Sequence, residues 1–128
     1  MPMSQRARVL VIDDEPLIAR ILQRGLSRHE VTVAGHARDA LARIERGETF
    51  DVILCDLMMP DLSGIDLHEY LTRQHPAIAA RIVFMTGGAF TSKARLFLSN
   101  ISNERIDKPF SLAQVNKLVE RHLSAAPP

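Results

Sequence analysis

Short apolar runs alternate with amphipathic stretches along most of the chain, and the alternation predicts five strands interleaved with five helices. Arg8-Val9-Leu10-Val11-Ile12-Asp13 is β-branched and apolar until its end, the pattern of a strand covered on both faces. Pro16 suits a first helical turn, and Leu17, Ile18, Ile21, Leu22 and Leu26 recur at helical spacing opposite Arg20, Gln23 and Arg24. Val31–Ala34 predicts a second strand ended by Gly35. Ala37–Arg46 predicts a helix with Ala40, Leu41 and Ile44 inward and Gly47 as its stop. Asp51–Asp56 repeats the buried-strand pattern, and Ile65–Gln74 is a helix carrying Leu67, Tyr70 and Leu71. Arg81–Thr86 is a fourth strand closed by Gly87-Gly88, and Met59-Pro60 and Gly64 bracket a loop. Thr91–Ser99 is helical, with Ala94, Leu96, Phe97 and Leu98. Arg105–Asp107 is a weak fifth strand whose polarity suits a sheet edge. Ser111 and Gln114 predict a capping box ahead of a last helix with the stripe Leu112, Val115, Leu118, Val119 and Leu123.

Strands and helices in strict alternation predict an α/β fold, a parallel sheet with helices on both faces. The length of 128 residues suits one domain, with a core from about 8 to 123 and residues 124–128 as a tail or linker. Net charge is +1, so no basic excess points to nucleic acid, and direct nucleic-acid binding is not expected. The N-terminus lacks an apolar signal region, and no run approaches the roughly 20 apolar residues that span a bilayer. A cytoplasmic location with no membrane segment in this chain is the expectation. Cys55 is the lone cysteine, which excludes an internal disulfide and reads as a core thiol. His29, His36, His68, His75 and His122 show no metal-ligand spacing and read as surface residues.

Ligands of parallel α/β sheets bind beyond the carboxyl ends of the strands. There the first strand ends in Asp13-Asp14, the third in Asp56, the fourth in Thr86, and the fifth in Lys108-Pro109. Singly, each has a bland explanation: Asp14 as a turn or cap, Thr86 as turn chemistry, Lys108 as a solvated lysine. Together, three carboxylates, a hydroxyl and an ammonium converge on one edge. Crowded carboxylates repel, and a small hard cation such as Mg²⁺ relieves the repulsion. A carboxylate is also a nucleophile toward phosphorus, provided the equatorial oxygens are neutralised. The cation, Lys108 and Thr86 supply that neutralisation, so the set suits phosphoryl transfer to an aspartate.

Asp13-Asp14, Asp56-Leu57-Met58-Met59-Pro60 with Gly64, Thr86-Gly87 and Lys108-Pro109-Phe110 resemble, in order and residue type, the response-regulator receiver family. The resemblance runs from about Arg8 to Leu123. It implies the flavodoxin-like receiver fold, a doubly wound five-stranded parallel sheet of order 2-1-3-4-5. It implies Asp56 as phosphoacceptor, Asp14 as direct metal ligand, Asp13 acting mainly through water, and the Met58 backbone carbonyl as a further Mg²⁺ ligand. Thr86 then binds the phosphoryl group and moves on activation, Lys108 pairs with a phosphoryl oxygen, and Lys108-Pro109 is cis. The implied donor is a phosphohistidine on a histidine kinase or histidine phosphotransfer domain. The implied protein is the receiver of a hybrid histidine kinase, with a kinase core fused to it, or a stand-alone regulator, monomeric or weakly dimeric. The Gly87-Gly88-Ala89-Phe90 stretch resembles the hybrid type. No kinase catalytic domain is present, so the catalysis expected is of the chain's own phosphorylation and dephosphorylation.

Family members usually carry an aromatic residue where this chain has Arg105. A guanidinium resists burial without a paired anion. Arg105 is therefore expected at the surface, with the signal carried by the backbone around Gly87 and Gly88. Other readings remain: a receiver-like module that binds proteins without phosphate, and a flavodoxin-like nucleotide or flavin binder. The latter would want a glycine-rich first loop, where this chain has Asp-Asp-Glu-Pro.

Overall fold

The structure, a computed structural model, describes residues 6–59, 61–87 and 91–125, the last two of these without their side chains. Pro60, Gly88, Ala89, Phe90 and the 126–128 part of the expected tail lie outside the described residues. The strands are β1 (Arg8–Ile12), β2 (Glu30–Ala34), β3 (Val52–Asp56), β4 (Ile82–Thr86) and β5 (Arg105–Asp107). The helices are α1 (Pro16–Gly25), α2 (Ala37–Glu45), α3 (Gly64–Gln74), α4 (Pro76–Ala79), α5 (Ser92–Ser99) and α6 (Leu112–Ala125). The strands form one parallel sheet of order β2-β1-β3-β4-β5. The flavodoxin-like, doubly wound receiver architecture is therefore present as expected.

Side chains alternate across a strand, and the three central strands feed two separate cores. Leu10, Ile12, Ile53, Cys55, Ile82 and Phe84 pack with Ala40, Ile44, Leu67, Leu71 and Leu98 of α2, α3 and α5. Val9, Val11, Val52, Leu54, Val83 and Met85 pack with Leu22, Val115, Leu118 and Val119 of α1 and α6. Both faces are covered, which is why β3 and β4 are buried at every residue.

Several local expectations are corrected. Helix α4 was not foreseen, because four residues are too few for a helical period to show. A full capping box opens α3, where the Ser63 hydroxyl takes the Asp66 amide and the Asp66 carboxylate takes the Ser63 amide. At Ser111 the structure shows the hydroxyl taking the Gln114 amide, one arm of the expected box. Leu17, Ile21, Leu96 and Leu112, assigned to inward stripes, are exposed. Their helices present a narrower apolar stripe to the sheet than the sequence spacing suggests. Leu112 lies over Gly25, where a Cβ would collide with its side chain.

His29 and His68 are buried, contrary to the surface reading. His29 Nδ1 accepts the Ala7 amide at 3.0 Å, tying the β1 entrance to the turn before β2. His68 lies against the Phe84 and Phe97 rings and bonds Asn103 at 3.0 Å. Asn103 Nδ2 donates to the Ala79 and Ile82 carbonyls, so its Oδ1 is the acceptor and His68 Nε2 carries the proton.

Candidate functional site

Four of the five parallel strands bring a polar residue to the same rim. Asp13 follows β1, Asp56 closes β3, Thr86 closes β4 and Lys108 follows β5. Asp13, Asp56 and Thr86 are buried polar groups, 2%, 6% and 1% exposed. Asp14 is exposed at the mouth of the site. Carboxylate oxygens of Asp13, Asp14 and Asp56 all lie within 4.8 Å of one another. Lys108 Nζ sits among them, 3.3 Å from Asp13 Oδ2 and 3.7 Å from Asp56 Oδ1. The Lys108-Pro109 bond is cis, as expected. Asp13, Asp14, Asp56 and Lys108 thus meet in one place, while the Thr86 hydroxyl is turned to Asp107.

Burial pushes the Asp56 carboxyl up to about 6, the Lys108 ammonium pulls it back, and Asp13 adds to the rise. Burial also raises Asp13, against the Glu15 amide and Lys108, which lower it. Burial alone would lower Lys108, but the fields of Asp56 and Asp13 outweigh it and hold the ammonium above its usual range. One ammonium does not neutralise three carboxylates. A dense set of hard oxygen donors with protons held too high is the environment a divalent cation relieves, so the residues present fit Mg²⁺. Met58 lies two residues past Asp56 with its side chain exposed, and its backbone amide draws the Asp56 carboxyl downward.

Sequence reasoning missed two participants, Glu15 and Asp107, and named Gly64 without the reason it is needed. Glu15 Oε1 lies 3.7 Å from Lys108 Nζ, and the Glu15 amide donates to Asp13 Oδ1 at 2.9 Å. Asp107 accepts the Thr86 hydroxyl at 2.7 Å. Gly64 brings the first turn of α3 against the acceptor strand: a Cβ there would lie 2.7 Å from the Asp56 carbonyl oxygen and 3.1 Å from Leu57 Cα. The obstacle is backbone, which cannot rotate away. Gly64→Ala is expected to cost about 1–3 kcal/mol by overpacking, read as a lowered urea midpoint. An unchanged midpoint would show that the turn yields freely.

Arg105 is exposed at the β5 edge, as its charge predicts. Arg20, Arg24 and Arg28 of the α1 segment are exposed, and Arg28 pairs with Glu120 of α6 at 2.7 Å. Cys55 is fully buried beside Asp56, and burial raises its thiol well above the usual range.

A profile of the family described as "Response regulator receiver domain" matches residues 9–120. The chain is 32% identical over 115 residues to the "Probable transcriptional regulatory protein TcrX" of Mycobacterium tuberculosis, covering 88% of this chain and 47% of that protein. It is 32% identical over 124 residues to the "DNA-binding transcriptional regulator NtrC" of Azospirillum brasilense, covering 95% of this chain and 25% of that protein. The chain thus spans less than half the length of these relatives. Among solved structures, the receiver domain of the Francisella response regulator 1452 superposes with a TM-score of 0.78 at 28% identity, covering 93% of this chain and 98% of that one.

Proposed function

This chain belongs to the response regulator receiver domain family of two-component signalling, and from that premise we propose that Asp56 accepts a phosphoryl group from a phosphohistidine. The observation that supports this best is the convergence of Asp13, Asp14 and Asp56 around one ammonium at the strand ends. An Asp56 carboxylate oxygen forms the new bond to phosphorus while the phosphorus–nitrogen bond to the donor imidazole breaks, and the departing imidazole keeps the electron pair. Mg²⁺, which Asp13, Asp14, Asp56 and the Met58 carbonyl would hold, would supply positive charge to the transferring group. Lys108 supplies the protein's own charge and keeps it through neutral pH. The Thr86 hydroxyl supplies one donor to a phosphoryl oxygen.

The partner is a histidine kinase or a histidine phosphotransfer domain, fused or separate, that meets the rim near α1. There Leu17 and Ile21 are exposed beside Arg20 and Arg24. The relatives in hand include transcription regulators longer than this chain. With a net charge of +1, this chain leaves any contact with nucleic acid to a separate segment or partner. No described helix is long and apolar enough to cross a membrane.

Incubation with acetyl phosphate and Mg²⁺, followed by intact mass measurement, tests the reading. A gain of one phosphoryl group that disappears when Mg²⁺ is chelated is expected; no gain under either condition would leave a phosphate-independent binding module. For the metal, Asp14→Ala is expected to weaken Mg²⁺ binding by about tenfold or more in calorimetric titration, since a unit charge is removed from the ligand set. Equal affinity in the two proteins would remove Asp14 from it.

A further inference from the structure

We infer that Asp107 is a positioning residue that holds the Thr86 hydroxyl out of the phosphoryl site until phosphorylation draws it in. The inference rests on the reading of Asp56 as phosphoacceptor.

Thr86 and Asp107 are register partners on β4 and β5, so their side chains stand on the same face of the sheet. The Thr86 hydroxyl, 1% exposed, donates to Asp107 Oδ1 at 2.7 Å. A hydroxyl has one proton to give. While Asp107 takes it, Thr86 offers a phosphoryl oxygen only lone pairs, which repel it. Binding the phosphoryl group therefore requires Thr86 to rotate and exchange one anionic acceptor for another. The backbone around this exchange is pinned: the Lys108 amide donates to the Thr86 carbonyl at 2.7 Å. A rotation of the Thr86 side chain leaves that bond in place. It leaves Asp107, an exposed residue at the end of an edge strand, without its partner. In a chain whose aromatic position holds the exposed Arg105, that released carboxylate is a route by which the site reaches the β5 surface.

The full chain with Mg²⁺ provides two independent readouts. Three-bond couplings to the Thr86 γ-methyl carbon report its rotamer without any phosphorylation. Wild type is expected to hold one rotamer, Asp107→Ala to average between rotamers, and Asp107→Asn, whose neutral amide oxygen accepts less strongly than a carboxylate, to free Thr86 partly. Phosphorylation by acetyl phosphate, followed by intact mass, is expected to run about 3- to 10-fold faster in Asp107→Ala, with Asp107→Asn between the two. A fixed Thr86 rotamer in Asp107→Ala overturns the inference. So does equal acceleration by both variants with Thr86 unmoved, which would reveal simple relief of charge repulsion. Should Asp107→Ala not fold, Asp107→Asn decides: a Thr86 rotamer and a rate both equal to wild type, or a rate raised with Thr86 unmoved, overturn the inference, and a partly freed Thr86 with an intermediate rate supports it. Failure of wild type itself to gain phosphoryl mass would instead sink the phosphoacceptor reading, and the couplings would still report on Asp107.

Discussion

Asp56→Asn is expected to gain no phosphoryl mass from acetyl phosphate and Mg²⁺ and, at the same time, to be more stable than wild type without metal. The first effect follows from chemistry: a carboxamide is not a nucleophile toward phosphorus under these conditions. The second follows from the carboxyl held up at about 6 by burial and by Asp13. A group whose folded pKa is raised contributes stability that is fully present below its unfolded value, near 4, and is lost as pH rises through the folded value. The ionised Asp56 of metal-free wild type therefore weighs against the fold at neutral pH. The amide removes that burden, worth about 1–2 kcal/mol after allowing for solvent screening at the open rim. The difference in unfolding midpoint should grow as pH rises from about 4 to about 6 and then level. Saturating Mg²⁺ should raise the wild-type midpoint and the variant's much less. Undiminished labelling of Asp56→Asn would move the acceptor elsewhere. A midpoint that fell in metal-free buffer would refute the electrostatic account while leaving the chemistry standing.

Lys108→Met is expected to slow phosphorylation by a factor on the order of 10²–10³, as removal of one fixed charge from a transferring group does in a partly dry site. The substitution keeps most of the stem and removes the ammonium that lies 3.3 Å from Asp13 and 3.7 Å from Asp56. Without it both carboxyls move further up, so apparent Mg²⁺ affinity should depend more steeply on pH than in wild type. Rates at saturating acetyl phosphate, read by intact mass, separate the two effects, because excess Mg²⁺ restores occupancy and not the missing charge. A rate within about threefold of wild type would show that Lys108 only balances the acidic cluster.

The strands were legible because each central one is covered twice: Val9-Leu10-Val11-Ile12 and Val52-Ile53-Leu54-Cys55 are apolar at consecutive positions. The acidic pair, Asp56, Thr86 and Lys108 were legible because a polar residue ending such a run has to lie at the sheet's rim. Asp107 was not: a carboxylate on a short edge strand reads as solvated, and only its register with Thr86 makes it a partner. Gly64 read as a loop marker, whereas its role is a close approach between α3 and the backbone of β3, which no spacing encodes. His29 and His68 sit among polar neighbours in sequence, and their burial comes from contacts with Ala7, Phe84 and Phe97 far along the chain. The exposed Leu17 and Leu96 follow an inward period that their helices do not use in full.

The two cores share no side chain, since the pleat sends alternate residues of every central strand to opposite layers. In evolutionary terms the molecule is two interiors that drift separately. A change of volume at Leu22 or Val119 is answered within one layer, and a change at Leu67 or Phe84 within the other. Compensating substitutions among homologues should therefore cluster by layer, leaving the rim between them as the part of the chain that neither interior is free to alter.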